Sequence, residues 1–215
     1  MSIVTLDPVN PSESDDGFDG VNHPMRHITE SIVQERAWGA ERRDEVASFF
    51  DDLATDWSQA RSHQDRAAVL DDIFDRAVEW IPQQDGLALD LGVGSGMFTA
   101  TLADRWGGVL AADISAGMLA EIPPGIASVM RADASQLPLP DASTRLILLA
   151  NMFLFPEEMD RVLSRDGIII WLNSRGTNTP IHLTTQAVLD ALPGDWSAIE
   201  SRNGTATWAV CRRDR

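Results

Sequence analysis

Three closely spaced glycines are the part of the sequence best suited to ligand chemistry: Gly92, Gly94 and Gly96 follow the apolar run 87–91. Glycine lets a backbone turn tightly and approach a ligand without a Cβ clash. A helical pattern follows the turn, and the free N–H groups at a helix N-terminus attract an anionic group. The segment therefore predicts a strand, a ligand-binding turn and a helix.

The spacing of the glycines excludes three common ligand-binding turns. A dinucleotide fingerprint counted from Gly92 needs its third glycine at the position that Met97 occupies. A P-loop needs a lysine, and the chain contains none. A nucleophile elbow centred on Ser95 needs glycines where Val93 and Met97 stand. A glycine turn that binds no ligand stays open as an alternative.

Two carboxylates follow at positions suited to a nucleoside. Asp113 ends an apolar run seventeen residues after Gly96, where a carboxylate can accept hydrogen bonds from both hydroxyls of a ribose. Asp133 lies in the segment 131–141, which is rich in Asp and Pro. Both residues also have a structural interpretation, Asp113 as the cap of the next helix and Asp133 as a turn former.

Segments 87–96, 113–119 and 131–141 together resemble motif I and the two motifs after it in class I S-adenosylmethionine-dependent methyltransferases, within the small-molecule, type 11-like group. The first has the pattern apolar-apolar-Asp-apolar-Gly-x-Gly-x-Gly, the second is similar to D-x-S-x-x-M-L, and the third to G-D-A-x-x-L-P-F-P-D. The resemblance extends over about residues 49–211. It implies S-adenosylmethionine as the cofactor and S-adenosylhomocysteine as the product.

The resemblance also implies roles for individual residues. Ile114 and Met118 would flank the adenine ring, Asp133 would accept from its amino group, and the Ala134 N–H would meet a ring nitrogen. The complete set of cofactor-binding residues that it implies is Asp90, Gly92, Gly94, Gly96, Asp113, Ile114, Met118, Asp133, Ala134 and Asn151.

The acceptor side is expected at the carboxyl ends of the later strands, where doubly wound sheets bind ligands. The candidates for the substrate rim are Phe153, Asn173 and Arg175. Trp57 resembles the aromatic residue that leans over the methionine end of the cofactor, and packing in the core of its own helix is an equal alternative. Arg175 would pair with a carboxylate or phosphate on the acceptor, or else solvate a surface loop.

No catalytic residue is evident, because methyl transfer chiefly needs alignment of the two reactants and exclusion of water. His182 is the candidate base if the acceptor must lose a proton. The run Asn151–Leu154 departs from the Asn/Asp-Pro-Pro-aromatic motif of amino-methylating relatives, and Asn151 supplies no acidic metal ligand. His23, His27 and His63 lack ligand spacing, so no metal site is predicted.

Composition favours a small-molecule partner. The formal net charge of −16 and a pI near 4.4 repel the phosphate backbone of nucleic acids. The apolar run 146–155 is too short to span a bilayer, and the N-terminus lacks the pattern of a signal peptide, so we expect neither a membrane nor an export route. We expect a cytoplasmic protein, and the composition indicates no oligomeric state.

The elements around these motifs predict an α/β fold: a doubly wound, mostly parallel, seven-stranded Rossmann-like methyltransferase sheet with one antiparallel edge strand and an N-terminal helical cap. Near-continuous aliphatic runs predict five parallel strands, and a hairpin turning at Asn203–Gly204 adds two. The predicted organisation is a mobile acidic tail over residues 1–25, a helical cap or lid over 26–82, and the cofactor-binding domain over 83–215.

The sequence therefore predicts a methyltransferase that transfers a methyl group from S-adenosylmethionine to a small molecule by in-line displacement. Two alternatives stay open: a protein of the same fold that binds the cofactor or its product without turnover, and an NAD(P)-dependent oxidoreductase. The position of Gly96 and the segment Asp133–Ala134 argue against the oxidoreductase.

Overall fold

The computed structural model describes residues 2–12, 18–59 and 64–214, and within them an eight-stranded sheet lies between layers of helices. The strands are β1 (Ile3–Thr5), β2 (Leu87–Leu91), β3 (Val109–Asp113), β4 (Ser128–Arg131), β5 (Thr144–Ala150), β6 (Leu163–Asn173), β7 (Trp196–Asn203) and β8 (Ala206–Arg213). The helices are α1 (Pro24–Glu35), α2 (Ala40–Gln59), α3 (Gln64–Arg76), α4 (Thr99–Arg105), α5 (Ala116–Ala120), α6 (Pro156–Val162) and α7 (Thr185–Ala191), and a 3-10 turn lies at Gly176–Asn178.

The sheet order is β1-β7-β8-β6-β5-β2-β3-β4, and every neighbouring pair except those made by β8 is parallel. Residues 146–150 of β5 are continuously aliphatic because both faces of the strand are covered, and Ile147 and Leu148, which point to opposite faces, are both fully buried. The predicted fold class, an α/β protein with a mostly parallel sheet, is confirmed.

The sheet differs from the prediction in strand number and in the place of its reversed strand. It has eight strands where seven were predicted, and β8 is antiparallel to both of its neighbours, so the reversed strand lies third from the edge. The hairpin pairs Asn203 with Ala206 and turns at Gly204–Thr205, one residue later than predicted. Gly204 has a φ of +58°, which suits a tight hairpin turn.

The eighth strand is formed by the N-terminal segment, so the prediction of a mobile tail over residues 1–25 is wrong for Ile3–Thr5. These residues pair in parallel with β7, and the Leu6 N–H continues the ladder to the Glu200 carbonyl at 2.9 Å. The outer edge of β7 presents backbone donors and acceptors that pair with an extended segment whatever its side chains. Composition therefore offers no sign of this strand. Residues 13–17 of the predicted tail lie outside the described residues.

The helices in the segment predicted as one cap pack in two different places. Met25 of α1 and Val46 of α2 join the hydrophobic cluster that contains Phe153. Ile73 of α3 joins the cluster on the opposite face of the sheet, together with Trp106. We therefore call only α1 and α2 the cap helices. No helix in the described ranges is long and apolar enough to cross a membrane.

Candidate functional site

The glycine turn follows β2, and its three glycines adopt left-handed backbone angles, with φ of +67° at Gly92, +56° at Gly94 and +82° at Gly96. A Cβ at Gly92 would lie 2.2 Å from the Met152 sulfur, so any side chain there would displace Met152. A Cβ at Gly94 would meet nothing closer than the Met118 sulfur at 4.0 Å. Gly94 therefore borders open space, as expected where a backbone approaches a ligand.

Asp113 is held beside this turn at the end of β3. Its carboxylate accepts the Gly94 N–H at 2.8 Å and the Ser115 N–H at 2.9 Å. Burial raises the pKa of Asp113, and these two backbone donors counteract the increase. The side chain is 8% exposed and lines the cleft above the glycine turn, so it presents a fixed acceptor to a ligand in the cleft.

Asp90 of β2 holds the start of the glycine turn in place through a side-chain hydrogen bond. It is 2% exposed, and its carboxylate accepts the Thr99 hydroxyl at 2.8 Å, which joins the end of β2 to the first residue of α4. Burial raises the pKa of Asp90 to about 7, while the Thr99 hydrogen bond lowers it and the nearby Asp113 carboxylate raises it further. The buried carboxyl group therefore shapes the turn as well as bordering the cleft.

Helix α5 begins at a capping network that reaches into the cap helices. The Ser115 hydroxyl accepts the Met118 N–H at 3.0 Å and donates to the Asp51 carboxylate of α2 at 2.6 Å. The same carboxylate accepts the Gly117 N–H at 2.9 Å. These donors, the Ser115 hydroxyl first, lower the pKa of Asp51. The network fixes the segment that presents Ile114 and Met118 to the cleft.

The absence of a side chain at Gly117 lets α2 approach α5 closely. A Cβ at Gly117 would lie 3.2 Å from both the Ala54 Cβ and the Asp51 carbonyl oxygen. The contact between Asp51 and Gly117 was not predictable from local pattern, because the two residues are far apart along the chain.

The third predicted motif, residues 131–141, begins at the end of β4, and its Asp133 contacts Trp38. Ala134 is buried and lines the cleft. The Asp133 carboxylate accepts the Ser135 N–H at 2.9 Å, and it also accepts the indole N–H of Trp38, with 3.1 Å to Oδ1 and 3.3 Å to Oδ2. Trp38 lies between α1 and α2 and itself lines the cleft. Sequence reasoning missed Trp38, because it stands in no motif.

Asn151 forms the far wall of the cleft. It has a φ of +53°, a conformation that Asn adopts more readily than most side chains. Its Nδ2 donates to the Ser174 hydroxyl at 3.0 Å, and its Oδ1 accepts the Ser174 N–H at 2.8 Å. This pair of hydrogen bonds joins the segments that follow β5 and β6.

The cleft brings together most of the residues that the sequence motifs indicated. The predicted site residues that line it are Asp90, Gly92, Gly94, Asp113, Ile114, Met118, Ala134, Asn151 and Phe153. Gly96 belongs to the turn without lining the cleft, and Asp133 faces the Trp38 indole. The lining residues that were not predicted include Trp38, Val46 and Phe50 of the cap segment.

A second cavity adjoins the cleft, and we call it the side chamber. It is lined by Phe18, His23, Met25, Phe49, Phe50, Leu53, Asn151, Ser174, Arg175, Thr179, Pro180 and Ile181. Phe50, Asn151 and Ile181 line both cavities, so the two spaces meet at these side chains. The guanidinium of Arg175, a predicted rim residue, lies over the Phe18 ring, 4.7 Å from its centroid, which gives this largely apolar chamber a cationic end.

Among the predicted rim and base candidates, two with described side chains line neither space. Asn173 and His182 line a different cavity, which also contains Trp208. His182 Nδ1 lies 3.1 Å from a guanidinium nitrogen of Arg26, and burial, together with the Arg26 charge, lowers the pKa of His182 to about 4. Trp57 belongs to α2, but its side chain lies outside the described residues.

His182 is therefore neutral near pH 7 and does not line the cleft, although its neighbour Ile181 does. Because a guanidinium only donates hydrogen bonds, Nδ1 of His182 acts as the acceptor and its proton lies on Nε2. Among the described residues, no group of three His, Cys, Asp or Glu side chains is arranged to hold a metal ion.

Comparison with known proteins relates the cleft to a known type of domain. A family model described as a methyltransferase domain matches residues 88–167, which include the glycine turn, Asp113, Asp133 and Asn151. No curated protein matches the chain.

Solved structures share the fold at low sequence identity. A putative S-adenosyl-L-methionine-dependent methyltransferase from Methanococcus maripaludis is 16% identical, with a TM-score of 0.58 over 79% of this chain and 92% of that one. DhpI, solved in complex with SAH, is also 16% identical, with a TM-score of 0.58 over 80% of this chain and 96% of that one. The match to the YcgJ protein from Bacillus subtilis is partial: it covers 43% of this chain and 46% of that chain, at 19% identity and a TM-score of 0.39.

Proposed function

Because residues 88–167 match a methyltransferase domain, we propose that the protein transfers the methyl group of S-adenosylmethionine to a small molecule. The observation that carries the proposal is the convergence of three separate sequence segments on one cleft. The glycine turn, Asp113 and Ala134 all line it, although they come from the ends of three different strands.

The residues of the cleft fit the cofactor. The space above Gly94 accommodates a ligand against the backbone, and the two backbone donors that hold Asp113 leave its carboxylate oriented along the same wall. Asp113 accepts the ribose hydroxyls in this proposal, and Ile114 and Met118 pack against the adenine ring. When bound, S-adenosylmethionine supplies a methyl group on a positively charged sulfur, which an acceptor displaces in line.

We assign the acceptor to the side chamber. This cavity meets the cleft at Phe50, Asn151 and Ile181, so a molecule held there would face the reactive end of a cofactor lying along the glycine turn. The aromatic walls suit an apolar body, and a largely apolar pocket with a few polar groups is typical of small-molecule sites. Arg175 adds a cation suited to an anionic substituent.

The side chains of this chain act mainly by holding and orienting the reactants. The described residues that line the chamber include no carboxylate, and His182 lies elsewhere with its ring neutral. His23 Nδ1 accepts the Met25 N–H at 3.2 Å and thereby caps α1, so this nitrogen is not available to take a proton. We therefore propose an acceptor whose reacting atom does not need a base to remove a proton at neutral pH before it attacks the methyl group.

The first test compares the melting temperature of the protein alone with that in S-adenosylmethionine, S-adenosylhomocysteine or NAD, because a ligand that binds the native state raises the midpoint. We expect both sulfur ligands to raise it and NAD to leave it unchanged. A shift with NAD and with neither sulfur ligand would overturn the proposal. Formation of S-adenosylhomocysteine across a panel of acceptors then separates an enzyme from a protein that only binds the cofactor.

A further inference from the structure

Trp38 donates to Asp133, the carboxylate that the resemblance to methyltransferases assigns to the amino group of the cofactor base. Its indole N–H donates to both carboxylate oxygens, at 3.1 and 3.3 Å, and the indole lines the cleft while Asp133 does not. Indole and adenine are both flat, fused five- and six-membered rings with an N–H donor at the edge. The side chain therefore presents to Asp133 the same kind of group that the adenine of the proposed cofactor would present.

The indole also packs against the aromatic residues that follow β5. Its ring centroid lies 5.2 Å from that of Phe155 in an edge-to-face arrangement and 5.9 Å from that of Phe153. Edge-to-face packing of this kind stabilises aromatic pairs beyond the area that they bury. Trp38 thus closes one end of the cleft: its N–H is bonded to Asp133, and its ring packs against Phe153 and Phe155.

The chain on either side of Trp38 is short, and Arg36 and Gly39 are exposed; its backbone is held by the Ala37 N–H, which donates to the Ser31 carbonyl, and by the Trp38 N–H, which donates to the Arg36 carbonyl. Arg36 has a left-handed φ of +53° at the end of α1, and a Cβ added at Gly39, which precedes α2, would meet nothing within 4 Å. Arg36 also pairs with Glu157 at 2.5 Å, but both side chains are largely exposed, and exposed ion pairs contribute little. Apart from the Trp38 ring itself, the connection can therefore shift with little loss of side-chain packing.

The cap helices themselves are anchored more firmly. Arg26 of α1 donates to the carbonyl oxygens of Thr177 and Thr179 at 2.7 and 2.8 Å. Asp51 of α2 binds the N-terminus of α5 through Ser115 and Gly117. Movement of the indole is consequently local to residues 36–39 and does not need the whole cap to leave.

We propose that Trp38 is a gate on the cofactor site, whose indole competes with the adenine base for Asp133 and must swing out before the base can enter. This inference rests on the proposed function, since it takes the base to be that of S-adenosylmethionine or S-adenosylhomocysteine. With a gate of this kind, the apparent affinity for the cofactor is the affinity of the open form multiplied by the fraction of molecules that are open.

The variant Trp38→Phe tests the gate, because it keeps an aromatic ring against Phe155 and removes the N–H. We expect S-adenosylhomocysteine to bind this variant about threefold to tenfold more tightly than the parent by calorimetry. The matched control is Trp208→Phe, which removes another indole N–H from a carboxylate, that of Asp72 at 3.0 Å, outside the cleft. The control should bind with unchanged affinity.

A second measurement follows the indole directly. The parent is labelled with 5-fluorotryptophan, and the fluorine resonance of Trp38 is assigned as the one that disappears in Trp38→Phe. We expect this resonance to shift when S-adenosylhomocysteine saturates the parent, whereas the Trp208 resonance should not shift. Equal or weaker binding by Trp38→Phe, or a Trp38 resonance that stays in place while the ligand binds, would overturn the gate alone. Absence of binding to the parent and to both variants would overturn the proposed function and the gate with it.

Discussion

The Asp51 carboxylate accepts the Ser115 hydroxyl at 2.6 Å, and through this contact a helix of the N-terminal cap holds the segment that lines the cleft. Ser115 in turn donates its backbone N–H to Asp113, so both carboxylates hold the same residue. The cap is thus joined to the cleft by hydrogen bonds as well as by apolar packing.

Replacing Asp51 with Ala should therefore affect both stability and binding. The loss of two hydrogen bonds to a charged acceptor should lower the free energy of unfolding by about 1–2 kcal/mol. Because Ile114 and Met118 lose their fixed position, we expect S-adenosylhomocysteine to bind several-fold more weakly by calorimetry. The neighbouring exposed Asp52 supplies the control, since Asp52→Ala removes the same charge from the same helix. Equal effects of the two variants would contradict a specific role of Asp51.

Replacing Gly94 with Asp should abolish cofactor binding. The new side chain would project into the open space of the cleft, and its charge would lie beside Asp113. The left-handed φ of +56° adds about 1–2 kcal/mol of backbone strain for any side chain. The measurement is the shift of the melting temperature by S-adenosylhomocysteine, with Gly107→Asp as the exposed control. A ligand-induced shift that persists in Gly94→Asp would place the site elsewhere.

The buried Asp90 makes stability depend on pH. Burial raises its pKa from 3.8 to about 7 in the folded protein, so the folded state holds this proton more tightly than the unfolded state. The free energy of unfolding should therefore fall as pH rises from about 4 to 7, and the contribution of this one group is at most about 4 kcal/mol. Above pH 7 its contribution should be constant.

Urea unfolding of the parent and of Asp90→Asn at several pH values checks this expectation. The amide cannot ionise, and its oxygen can still accept the Thr99 hydroxyl, so the variant should lose that part of the pH dependence. The exposed residue Asp104 supplies a control, because Asp104→Asn should keep the slope of the parent. Identical slopes for the parent and Asp90→Asn would show that folding does not shift the pKa of Asp90.

Replacing Phe49 with Ala should weaken binding of the acceptor without weakening binding of the cofactor. Phe49 lines the side chamber and is absent from the lining of the cleft, and its ring packs edge to face on Phe50 at 5.3 Å. We expect the KM for an acceptor found in the panel to rise about tenfold, because apolar contact is lost, while the affinity for S-adenosylhomocysteine stays within about twofold. Val78→Ala, another exposed apolar truncation, is the control. Weaker cofactor binding with an unchanged KM would place the acceptor elsewhere.

The parts of the site that are contiguous along the chain could be predicted from local sequence patterns. The turn at Gly92, Gly94 and Gly96 was predictable because its backbone conformation depends on the local absence of side chains. Asp113 was predictable because the end of a buried parallel strand places its last polar residue at a known edge of the sheet. The aliphatic strands likewise predicted the fold class, since burial on both faces leaves few polar positions.

The contacts between distant segments could not be predicted in this way, because they depend on tertiary packing. Trp38 lies 95 positions from Asp133, and Asp51 lies 64 positions from Ser115, so no local pattern could pair them. Strand β1 joins the sheet through backbone groups that composition does not report. His182 was close in sequence to the expected rim, yet packing turns it toward Arg26 and away from the cleft. Local conformation is specified by neighbouring residues, whereas long-range contacts depend on the packing of the whole chain.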